Sequence, residues 1–297
     1  MIVMGSEPVS CVMPTAASFN RGICRYFTPS GNESGNSADS TGVRRSITHW
    51  IWYLLQSSAH SVGVMRAKNL TVVTSGRSSA PIRSDRGGGI VTVEGGSYTS
   101  NGQGSPVIYS TADITVSDAT LTSNMSEGAV IEGKNSITLK NCEMTVSNTQ
   151  RNGHAQFLDA IMIYQSCSGD SDAGNSHFTM NGGSLTNKKG HLFHVTNTNA
   201  IITLNGVKLV NEDPAKVLLS VCADGWQGAG NKATVNASRQ QLEGTSISTE
   251  TGTVNVTLDD DCTWTLTADT YITSLTGDVS HIKANGHRLF VNGKEIK

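Results

Sequence analysis

The sequence predicts an all-β chain, a single-stranded parallel β-helix with three strands per coil and about 23 residues per coil. Three observations carry the prediction. An apolar-Thr-apolar triplet recurs along the chain, a residue type that tolerates a left-handed backbone follows it at a fixed offset, and side chains alternate in polarity on both sides of that residue.

The triplets are Leu70-Thr71-Val72, Val91-Thr92-Val93, Ile114-Thr115-Val116, Ile137-Thr138-Leu139, Phe178-Thr179-Met180, Ile202-Thr203-Leu204, Ala233-Thr234-Val235 and Val256-Thr257-Leu258. Their threonines are spaced 21, 23, 23, 41, 24, 31 and 23 residues apart. Three residues beyond the threonine stand Gly95, Asp118, Asn141, Gly182 and Gly206, which marks a corner. Small residues follow, and then a second apolar series, Tyr98, Leu121, Met144, Leu185 and Leu209. A third series, Ile108, Ile131, Ile163, Phe193 and Leu219, completes the coil. A unit this short cannot bury its own apolar face. Stacking units about 4.8 Å apart buries it and pairs each strand with its equivalents above and below.

The two long intervals place insertions. One interval adds residues before its third strand, within 146–160, and again after it, within 166–176. The other adds residues after its third strand, within 221–231. The two segments that follow a third strand should therefore leave the same corner, two coils apart. Residues 66–252 form the coils. Residues 253–297, with turn dipeptides Asn285-Gly286 and Asn292-Gly293, read as narrower terminal coils or a closing hairpin. Residues 1–65 show no trace of the repeat, and are expected to be either a short capping helix at 47–56 with irregular flanks or a disordered segment.

Charge and composition narrow the function. Charged residues make up 15% and the net charge is −2, while Ser and Thr together number 67 and Asn 22, so the surface is neutral and rich in hydroxyls. The broad basic field that non-specific nucleic-acid binding needs is missing, and no apolar run approaches the ~20 residues of a membrane span. Neither residues 1–19 nor the Arg44-Arg45 pair with the short apolar run 47–55 reads as a signal peptide. Cysteines 11, 24, 142, 167, 222 and 262 have neither zinc-site spacing nor the density of a disulfide scaffold, and Cys142 reads as a small core residue.

Residues 104–116 (GSPVIYSTADITV), 130–139 (VIEGKNSITL) and 162–166 (MIYQS) resemble secreted, adhesin-like right-handed β-helix proteins of bacteria, within the pectin-lyase-like superfamily. The resemblance covers residues 67–297. It implies right-handed coiling and an extracellular or cell-surface setting, and it carries no activity or catalytic residues.

Enzymes on such a fold need a cation or basic cluster with a base, or two carboxylates at a set separation. Arg77, Arg83 and Arg86 lack an accompanying acidic cluster, Asp259-Asp260-Asp261 reads as a turn, and the Gly-His pairs at 153, 190 and 286 keep no common place in the coil. The sequence thus favours a non-catalytic surface protein over the alternative, a polysaccharide lyase or glycoside hydrolase. The candidate ligand-binding residues are Tyr109, Glu132, Tyr164 and His194 beside the third strand, with Asp170, Asp172, Asp224 and Trp226 in the two loops. Aromatic faces beside carboxylates suit sugar rings. The competing reading is that the aromatics pack between coils and Trp226 pins its loop. Asp170 and Asp172 are too few for a dedicated calcium site, so neither metal nor cofactor is expected. The expected partner is a glycan or a host surface protein, and the oligomeric state is left open.

Overall fold

The computed structural model describes residues 23–25, 63–86, 88–226, 230–248 and 252–297. The helix expected at 47–56 lies outside the described residues. Apart from one 3-10 turn at Val279–His281, the regular structure is β-strand, and the long ladders are parallel. No helix among the described residues is long and apolar enough to cross a membrane.

The chain winds as a parallel β-helix. The threonine triplets sit in one ladder, with Thr92 opposite Thr115, Thr115 opposite Thr138, Thr138 opposite Thr179 and Thr179 opposite Thr203. Triplet side chains on either side of each threonine enter one continuous core that includes Val91, Ile114, Ile137, Phe178 and Ile202. Each such side chain contributes roughly 1.5–3 kcal/mol when fully buried. The second ladder pairs Tyr98, Leu121, Met144, Leu185 and Leu209 in register. A separate seven-stranded sheet, running from Ile82–Arg83 to Thr245–Ser248, forms the third wall.

The corner between the first two ladders follows the predicted chemistry. Gly95, Asp118, Asn141, Gly182 and Gly206 all have φ between 53° and 65°. Their N–H groups keep the ladder going through the bend, as when Asn141 donates to Asn181 O and Gly182 to Asn205 O, each at 2.9 Å. A side chain on the following Gly183 would put its Cβ 2.1 Å from Cys142 O, so close stacking of coils excludes one there. Strands Val64–Thr74 and Ile90–Ser100 run unbroken through this corner, and for that reason the first two ladders merge into one 14-stranded sheet.

Three register expectations are corrected. Arg66, not Thr71, faces Thr92, and Asn236, not Thr234, faces Thr203. Ile131 and Ile163 pair with Ser110 and Val195, one alternation away from Ile108, Phe193 and Leu219. Thr71 lies past the corner, opposite Ser97; the other two are slips of two residues, which keep every side chain on its original face, so alternation alone cannot detect such a slip. The corner residue does detect it: Asn69 and Arg239, three positions after Arg66 and Asn236, also have positive φ.

Ile23–Arg25 pairs in parallel with Val64–Arg66, which brings part of the segment preceding residue 65 onto the stack. At the other end Leu289–Val291 turns back on Lys294–Glu295 in an antiparallel hairpin through Asn292 and Gly293, both at positive φ. This reversal replaces an open parallel edge.

Candidate functional site

The outer face of the third wall is where the molecule departs from a plain solenoid. In Ala129–Glu132, Asp159–Tyr164 and Val217–Cys222 every residue is buried, on the outward as well as the core-facing side. The covering comes from the insertion at 147–158 and from residues 223–226. Asn148 launches the first, its Nδ2 donating to Asp159 O at 3.0 Å and its Oδ1 accepting from Gln150 N at 3.2 Å. Val130, Ala155, Met162 and Tyr164 form a second small core beneath it, flanked by Tyr109 and Trp226.

The candidate residues fall into two groups on this face. Glu132 is 1% exposed and is surrounded by hydroxyls. It accepts hydrogen bonds from Tyr109, Ser166, Tyr164 and Ser168, the latter two at 3.2 and 3.3 Å. Arg83 stacks over the Tyr109 ring at 4.9 Å. Burial, followed by the Tyr164 and Glu132 charges, holds the Tyr109 phenol far above its ordinary range; burial and Glu132 act likewise on Tyr164. These phenols are permanent donors to a carboxylate, which ties the loop after residue 165 to the wall. Further along that loop, Asp170 pairs with Arg86 at 2.5 Å and exposed Asp172 with Lys134 at 2.7 Å.

The second group is a chain of polar contacts. His194 Nε2 lies 2.8 Å from Asp224 Oδ2, and both side chains are 0% exposed. Its Nδ1 meets Ser220 Oγ at 2.8 Å, the same hydroxyl that His191 Nδ1 meets at 2.8 Å. Cys222 Sγ donates to Asp224 Oδ1 at 3.6 Å. Burial pushes the Cys222 thiol up to about 12, helped by Asp224. Burial alone would raise the Asp224 carboxyl, but its contacts with His194, Cys222 and Thr196 bring it below the ordinary value. Trp226 wedges between His154 and Tyr164, with ring centroids at 5.5 and 5.0 Å, and so holds the two insertions together.

The structure brings the candidate residues to one face, but that face is less accessible than the sequence suggests. Glu132 and His194 point outward from the coil, yet the insertions place both under cover. What sequence reasoning missed is an open groove of about 930 Å³ beside them. Its walls are the insertion, with Gln150, Arg151, His154, Gln156 and Phe157, and the bend Lys189-Gly190-His191 with Asp213. Gly190, at φ 86°, passes so close to the insertion that a Cβ there would lie 2.2 Å from Leu158 O. Phe157 stacks on the His191 ring with centroids 4.4 Å apart. Burial, then the nearby His194, lowers the His191 imidazole to about 4, so it is neutral at physiological pH.

Two further carboxyls lie under the same cover. Asp159 is 0% exposed and neither of its oxygens has a hydrogen-bond partner, while Glu127, 1% exposed, is bonded through one oxygen to Ser126. Burial raises both, and the charges of Glu127 and Asp224 raise Asp159 further. The near-continuous apolar runs Ala129-Val130-Ile131 and Ala160-Ile161-Met162-Ile163 are the signal that could have revealed a wall covered on both sides. Comparison with protein-family models, curated proteins and solved structures finds no match to the chain.

Proposed function

We propose that the chain is a non-catalytic, adhesin-like β-helix of the cell exterior or cell surface that holds a glycan in the groove beneath the 147–158 insertion. The observation that carries this reading is the groove itself. It is open, of a size that takes a sugar chain, and lined by the Phe157 ring, the Gln150 and Gln156 amides and the exposed cations Arg151 and Lys189. Rings offer stacking to the C–H faces of a sugar, amides bond to its hydroxyls, and the two cations favour a carboxylate- or sulfate-bearing saccharide.

The acids present support binding over catalysis. Asp213 is the one carboxylate among the lining residues, and its oxygens already accept from Gly190 N at 2.7 Å and Ala215 N at 2.9 Å. A glycosidase needs two carboxyls facing the substrate about 5–9.5 Å apart. Glu127, Asp159 and Glu132 are buried and do not line the groove.

A glycan array probed with the intact chain and with Phe157→Ala and Lys189→Ala variants tests the reading. Saturable, salt-sensitive binding without product release, weakened by either substitution, is the expected result. Binding unchanged in both variants would reject the groove, and new reducing ends or unsaturated products would establish the lyase or hydrolase alternative.

A further inference from the structure

A second site lies beneath the groove and is independent of what the groove binds. His194 Nε2, Cys222 Sγ and an Asp224 oxygen lie within 4.8 Å of one another. Imidazole nitrogen, thiolate sulfur and carboxylate oxygen together form the donor set of a borderline divalent ion, with bonds of about 2.0–2.3 Å for zinc. We propose that His194, Cys222 and Asp224 form a buried site for a transition-metal ion of the zinc class, which fastens residues 223–226 to the third wall.

Three features beyond the donor set point the same way. The supporting contacts of a metal-ligating histidine are already in place, because Ser220 Oγ engages Nδ1 at 2.8 Å and leaves Nε2 directed at Asp224. Asp224 is itself anchored, its N–H donating to Thr196 Oγ1 at 3.0 Å. Finally, acidic groups crowd the enclosure. Asp159 has two fully buried oxygens without a partner, and the charges of Glu127 and Asp224, both of its own sign, raise it. A divalent ion beside Asp224 relieves that repulsion.

The proton balance is simple. On binding, the Cys222 thiol proton leaves for solvent and the thiolate ligates; the imidazole proton that faces Asp224 on Nε2 in the metal-free chain is replaced by one on Nδ1, donated to Ser220 Oγ, so that the ring stays neutral and Nε2 gives its lone pair to the metal. In the metal-free chain the same atoms are joined by the contacts from Cys222 to Asp224 and from Asp224 to His194.

Titration of the chelator-treated full chain with Co²⁺ tests the site. The expected result is one ion per chain with a thiolate-to-cobalt charge-transfer band, and a zinc-dependent rise in Tm. The band should vanish in Cys222→Ser and survive in Cys167→Ser, since Cys167 is exposed and does not belong to the donor set. Ser220→Ala, which removes the positioning contact to His194 and leaves all three ligands in place, should weaken cobalt binding roughly 10–100-fold. If Cys222→Ser does not fold, the isosteric Asp224→Asn gives the same readout. A folded wild-type chain showing no such band, or a band that persists unchanged in Cys222→Ser, overturns the proposal.

Discussion

Two walls of the same tube solve opposite problems. On the threonine ladder, strands such as Asp113–Ser117 and Ser136–Lys140 alternate between buried and half-buried or exposed side chains, so one face packs and the other meets water. On the third wall, Asp159–Tyr164 and Val217–Cys222 are buried throughout. The backbone arrangement is the same parallel ladder in both. The difference comes from the insertion at 147–158 and from residues 223–226, which fold back over one wall and leave the other bare. Covering a polar strand face forces each outward polar group to find a protein partner, and the Glu132 and His194 networks result from that requirement.

The sharpest way to break the comparison is to remove a side chain from the covered face. Met162 points away from the main core yet is 0% exposed in the second small cluster. Met162→Ala should cost about 2–5 kcal/mol in denaturant unfolding, as a core truncation does. A loss near zero would mean that the cover is not packed in solution.

His191 gives a pH test of the same face. Its folded value of about 4 lies below the ordinary 6.5, so the unfolded chain takes up the proton first. The stability associated with neutral His191 is complete above about pH 6.5 and is lost as pH falls towards 4, by about 3 kcal/mol in all. His191→Gln should remove that loss, as read from unfolding midpoints across pH. Glu127 and Asp159, whose carboxyls are held up, act with the opposite sign, their contribution being fullest in acid and declining as pH rises. A wild-type profile flat between pH 6.5 and 4 with an unchanged variant would show His191 open to water.

The smallest effect belongs to the bare wall. Thr138→Ala, on the half-buried outward row, should shift stability by no more than about 0.5 kcal/mol. A cost comparable with that at Met162 would show that this wall too is covered, for instance by a second chain.

The ladders were legible from sequence because stacking repeats the same demand in each coil: an apolar pair around Thr115 or Thr138, then a residue at positive φ such as Asp118 or Asn141. Register at Thr234 was misread because a two-residue slip preserves the facing of every side chain, and Thr71 because its triplet lies past the corner, opposite Ser97. The outward facing of Tyr109, Glu132 and Tyr164 was legible from strand alternation, although Tyr109 stands opposite Val130 and not level with Glu132. The cover over this face was not, since the path of residues 147–158 depends on contacts between distant segments, such as Gln156 Nε2 to Ala223 O at 2.8 Å, which no local pattern encodes. Phe157, His191 and Asp213 meet at the groove only through that path.

Thr138 and Thr179 are 41 residues apart in sequence, yet they stand directly opposite each other, and the long excursion between them leaves the next rung unmoved. Surface and scaffold are therefore free to diverge at separate rates. A lineage carrying this chain could lengthen, shorten or exchange that excursion, and so change the surface the molecule presents, without renegotiating the stack on which it is mounted.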